Sequence, residues 1–141
     1  MSSIALRPDP FAELLRRAGI DRSSLIRLTG HGSLPALLWF CRHGYDRVGY
    51  LKPGCAGPRE PADALIVGPA CHVSDLSELL DGGPHVRDGG ALIFRSPLPH
   101  GAETDPIHAL LAHHGYVVER CLHGARRELH VARRSDLRKA A

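Results

Sequence analysis

The chain has 141 residues, 43% of them apolar, with a formal net charge of +3, a length that fits one domain, residues 1–141, with a real hydrophobic core. Basic residues are mostly scattered arginines and aromatics make up only 5%, which argues against nucleic-acid binding. No apolar run approaches the ~20 residues needed to cross a bilayer, and the first nine residues lack the apolar core of a signal peptide, so a soluble cytoplasmic protein without membrane contact is expected.

Residues 1–22 are read as an N-terminal helical segment. Asp9 caps it, Pro10 suits the first helical position and Gly19 stops it, with Phe11, Leu14, Leu15 and Ala18 on one face. Ser24 to Thr29 is a short strand, broken at Gly30-His31-Gly32-Ser33. Pro35 then opens a helix that Gly44 halts, which makes the start of a βαβ unit. Asp46 to Leu51 reads as the second strand, and Lys52 to Pro61, with three prolines and two glycines, as a loop. Asp63 to Val67 is almost continuously apolar, as a strand covered on both faces should be.

Ser74 to Leu80 follows as a helix with Ser74 as its cap, and Arg87-Asp88-Gly89-Gly90 as a turn before a fourth strand, Gly90 to Arg95. Ser96 to Asp105 is a connection, and Pro106 to His114 a helix with Ile107, Leu110 and Leu111 inward. Tyr116–Leu122 and Glu128–Arg133 form a hairpin through His123-Gly124-Ala125, and residues 135–141 are a polar tail. Alternating strands and helices imply a parallel sheet, into which the hairpin forces one antiparallel strand.

From Ala62 to Arg134 this order of elements resembles the back half of class I S-adenosylmethionine-dependent methyltransferases. The resemblance covers roughly Ser24 to Arg134. It implies a three-layer α/β/α sandwich, a mostly parallel six-stranded Rossmann-like sheet in the chain order second, first, third, fourth, sixth, fifth. It also implies S-adenosylmethionine at Gly30, His31, Gly32 and Ser33, with substrate entering beside Pro69, Cys71 and His72.

The front half departs from the family. Its cofactor loop follows an acid with three alternating glycines; here Leu28 holds the acid's place, Gly30 and Gly32 remain, and Leu34 replaces the third. The family's second strand ends in an acid that accepts the ribose hydroxyls, whereas Tyr50-Leu51-Lys52 offers no carboxylate. Lys52 to Ala62 is also too short for the helix, strand and helix the family fits there. Two glycines in a strand-to-helix turn have a conformational explanation as well, because the turn needs positive φ.

Other chemistry is thinly signalled. Cys71-His72 could act as an acid/base or nucleophile pair, but adjacent side chains usually point apart. The ten histidines include His108 and His113, whose spacing suits no metal ligand pair, and the four cysteines form no Cys-x-x-Cys; no metal site is expected. Neither Gly-x-Ser-x-Gly nor a Walker loop is present. Two function classes stay open. One is a degenerate, non-catalytic binding or dimerisation module. The other is a small S-adenosylmethionine-dependent methyltransferase with weakened cofactor binding and an unknown small-molecule substrate. A missing outer element would leave the second strand at a sheet edge, which favours a homodimer.

Overall fold

Each apolar run becomes a strand and each amphipathic stretch a helix in the computed structural model, which describes residues 10–30, 33–51, 61–68, 73–82, 85–97, 104–123 and 127–135. Helix α1 (Pro10–Arg17) buries Leu14 and Leu15, with Ala18 just beyond it, and ends at Gly19, whose φ of 81° is the left-handed conformation glycine tolerates. Strand β1 (Ile26–Thr29) starts two residues later than expected. The Ser23 and Ser24 amides donate to the Asp21 side chain (2.9 Å) and carbonyl (3.1 Å), so this stretch is a turn. Helix α2 (Ser33–Arg42) carries Pro35 inside its first turn, where no amide donor is needed.

Strand β2 is only Val48–Tyr50, shorter than the six residues read from sequence, and β3 is Ala62–Val67. In α3 (Val73–Asp81) Ser74 lies within the helix instead of capping it. Strand β4 (Val86–Pro97) absorbs the expected Arg87–Gly90 turn as an irregularity of its ladder, since Ala62 pairs with Val86 and Ala64 with Ala91. Gly89 sits at φ 84°, and a Cβ on Gly90 would lie 2.1 Å from the Val86 side chain, so both glycines are needed for the bulge. Helix α4 (Thr104–His113) and strands β5 (Tyr116–His123) and β6 (Arg127–Arg134) complete the fold.

The sheet order is β2-β1-β3-β4-β6-β5, the order implied by the resemblance. Strands β1 to β4 pair in parallel, and β6 is antiparallel to both β4 and β5. Alternation along the strands divides the core between the two faces. Ala64, Ile66, Ala91 and Ile93 pack with Leu14, Leu15 and Phe40 of α1 and α2. Leu65, Val67, Leu92 and Phe94 pack with Leu76, Leu80, Ile107 and Leu111 of α3 and α4. Among the described residues no helix is long and apolar enough to cross a membrane.

Candidate functional site

In an open parallel sheet the ligand crevice forms at the carboxyl ends of the strands, where chain direction switches on either side of β1. Here that place lies beyond Thr29 of β1, Tyr50 of β2 and Val67 of β3. Thr29 is followed by Gly30 at φ 98°, and α2 begins at Ser33. Gly68 follows β3 and donates its amide to the Thr29 carbonyl at 3.1 Å.

Gly30 and Gly68 touch backbone to backbone. A Cβ on Gly30 would fall 2.1 Å from the Gly68 carbonyl oxygen. Glycine is therefore required at position 30 twice over, by its dihedral and by close approach of the chain to itself. Neither requirement involves a ligand. His31, Gly32, Pro69, Cys71 and His72 lie outside the described residues, as does the side chain of Ser33, whose backbone opens α2.

The floor of this region is apolar. Leu28 is 1% exposed within the core beneath α2. Leu51, whose amide donates to the Leu28 carbonyl at 2.8 Å, packs toward the opposite core, and Tyr50 is exposed. Among the described residues, neither Leu28 nor the end of β2 supplies a carboxylate for a polar ligand.

The carboxylates with a shaped environment stand at the other end of the sheet. Partial burial works to raise the Asp63 carboxyl, at the start of β3. Hydrogen bonds from the Arg87 guanidinium and the Leu25 amide (2.7 Å), with the charges of Arg87 and Arg47, outweigh it and hold Asp63 below its ordinary value. Asp21, before β1, is lowered by hydrogen bonds from Ser23 and Ser24. Glu119 on β5 pairs with Arg133, whose guanidinium also donates to the carbonyls of Gly89 (2.6 Å) and Ala18 (2.8 Å). A shallow hollow lined by Leu14, Arg17, Ala18, Glu119 and Val131 adjoins that pair. These groups tie α1, β4, β5 and β6 together, which is a structural task.

One group near the carboxyl end of β4 escaped the sequence reading. His130 of β6 is fully buried, stacked on Phe94 at 4.8 Å between ring centroids, with the exposed His108 of α4 edge-on at 6.3 Å. The available signal was its parity with Ala132, which marks an inward position on β6. Among the described residues no group of three or more His, Cys, Asp or Glu is arranged to hold a metal ion.

No family model and no curated protein matches the chain. Solved structures do. The chain is similar to the ribosomal protein L11 methylase of Lactobacillus delbrueckii subsp. bulgaricus, at 14% identity and a TM-score of 0.66, covering 89% of this chain and 77% of that one. It is similar to the 1,6-didemethyltoxoflavin-N1-methyltransferase of Burkholderia thailandensis with bound S-adenosylhomocysteine, at 13% identity and a TM-score of 0.65, covering 89% and 76%. The magnesium protoporphyrin IX methyltransferase of Synechocystis PCC 6803 with bound S-adenosylmethionine aligns at 13% identity and a TM-score of 0.61, again over 89% and 76%. The chain has a class I methyltransferase-like Rossmann fold.

Proposed function

We propose that this fold is a degenerate methyltransferase-like domain, a non-catalytic binding or dimerisation module in which the cofactor site has been given up. The observation that carries the reading is the carboxyl end of β2, where Tyr50 and Leu51 stand in place of an acid for the ribose. Losing a charged acceptor of two hydroxyls removes about 2–3 kcal/mol, a factor of about 50–100 in affinity. Leu28 and Leu34 depart from the cofactor-loop pattern in the same direction. Of the two glycines that remain, Gly30 has a sufficient structural reason in its contact with Gly68. The separate cores on the two sheet faces, one with α1 and α2 and one with α3 and α4, support a three-layer sandwich as the scaffold.

The second reading is a small S-adenosylmethionine-dependent methyltransferase. It is favoured by the bound cofactor or product in two of the similar structures. Gly30, His31, Gly32 and Ser33 would then hold the cofactor, and Pro69, Cys71 and His72 would face a small-molecule substrate.

Thermal unfolding with S-adenosylmethionine or S-adenosylhomocysteine separates the two. At about 1 mM ligand, a dissociation constant weaker than about 100 µM stabilises by less than about 1.4 kcal/mol. That small shift is expected, and a larger one would overturn the non-catalytic reading.

A further inference from the structure

We infer that the β2 edge and the outer flank of α2 form a homodimer interface, in which β2 pairs antiparallel with β2 of a second copy about a two-fold axis through Gly49. Strand β2 is the terminal strand of the sheet. The Arg47 carbonyl and the Leu51 amide are bonded to β1, to the Ile26 amide (2.9 Å) and the Leu28 carbonyl (2.8 Å). Alternation along a parallel ladder therefore turns the amides and carbonyls of Val48 and Tyr50 to the outer side. Within β2 neither proline nor lysine interrupts that edge.

The register follows from parity. An antiparallel partner must set outward residues against outward residues to form closely spaced bond pairs. Centring on Gly49 places Val48 of one copy opposite Tyr50 of the other, twice, and so engages all the outward groups of β2. Each pair is aliphatic against aromatic, a favourable cross-strand combination. Gly49 meets Gly49 across the axis in the non-hydrogen-bonded position, where chains come closest, and a Cβ there would meet nothing within 4 Å of its own chain.

Helix α2 extends the same surface. It packs over β1 and β2, on the sheet face to which Val48 belongs. Its Trp39 turns toward α1, meeting Phe11 at 5.0 Å between ring centroids. At 100° per residue Leu34 and Cys41 lie on the side of the helix away from Trp39, with Leu38 beside them. That flank therefore looks outward over the β2 edge, and its leucines are solvent-exposed at 58% for Leu34 and 45% for Leu38, with Tyr50 at 41%. Exposed leucines spaced i, i+4 beside an exposed tyrosine and a strand edge make one apolar surface. A second copy fits it because the edge and the side-chain pairing both match themselves.

Dimerisation deepens the module reading and rests on it for its purpose, although not for its geometry. Cofactor titration tests that reading, and the experiment here tests only the edge. The full chain is sedimented at about 100 µM, where a dissociation constant of about 10 µM would leave most chains paired. The expected mass is twice 15.3 kDa, falling to the monomer value in Tyr50→Lys and in Leu38→Lys, each checked for native circular dichroism. In a chain whose native cysteines are replaced by serine, Gly49→Cys should cross-link on oxidation. Opposed Cα atoms at about 4.5 Å suit a disulfide. Val48→Cys, offset from its own copy across the axis, should not cross-link. A monomeric wild type, as would follow if residues 52–60 cover the edge, overturns the interface. So does a dimer that both lysine variants leave intact, or one that Val48→Cys locks and Gly49→Cys does not.

Discussion

Replacing Gly30 by alanine distinguishes a glycine kept for a ligand from one kept for the fold. Two penalties act on Gly30→Ala. The left-handed φ of 98° costs a Cβ-bearing residue about 1–2 kcal/mol. The new methyl would also lie 2.1 Å from the Gly68 carbonyl oxygen, so the β1 and β3 ends must separate, an overpacking cost of about 1–3 kcal/mol. Reduced freedom of the unfolded chain returns about 0.4–1 kcal/mol, leaving a net loss of about 2–4 kcal/mol. Two further glycines calibrate the measurement. Gly19 has positive φ, 81°, but open space around its Cβ, so Gly19→Ala should lose only about 1 kcal/mol. Gly49 has open space and no positive φ, so Gly49→Ala should lose nothing and gain about 0.4–1 kcal/mol. Urea unfolding of the three variants without ligand should rank the losses Gly30, Gly19, Gly49. A Gly30→Ala variant as stable as the parent would refute the structural account of this glycine.

Other perturbations follow from the same contacts. Arg133→Ala breaks the bonds to Ala18 and Gly89 and the pairing with Glu119, and should cost about 2–3 kcal/mol in urea unfolding. Arg133→Lys should recover little of that loss, because an ammonium cannot make the forked contact. His130→Ala empties a fully buried position beside Phe94 and should lower stability by about 2–4 kcal/mol, read as a fall in melting temperature. The Asp63 carboxyl is held below its ordinary 3.8 when folded, so its stabilisation is complete above that pH and fades as pH falls through the lower folded value. Asp63→Asn should flatten the stability profile in that acid window, whereas an unchanged slope would show that the Arg87 pairing contributes nothing there.

The strand order was legible because apolar runs such as Leu65–Val67 and Leu92–Phe94 lie where the resemblance needs strands, and the short connection after His123 allows only a hairpin. Element boundaries were less so. Arg87-Asp88-Gly89-Gly90 has the composition of a turn, and only the packing of Gly90 against Val86 and the Asp63 carbonyl makes it a bulge within β4. Asp21 and its serines shortened β1 by side-chain hydrogen bonds that compete with the ladder. The tie between Gly30 and Gly68 joins residues far apart in the chain, so local pattern could place a glycine turn there without revealing what it touches. His130 carried the same difficulty, since its burial depends on Phe94 and α4. Leu34 read as a lost glycine, and only its exposure on α2 shows an apolar surface in its place.

Calorimetric titration of the whole chain with S-adenosylhomocysteine tests most directly whether the cofactor site has been lost. The non-catalytic reading requires no measurable heat of binding, or a dissociation constant weaker than about 100 µM. A low-micromolar constant with one site per chain would contradict it, and would mean that a residue other than Tyr50 or Leu51 had taken over the ribose.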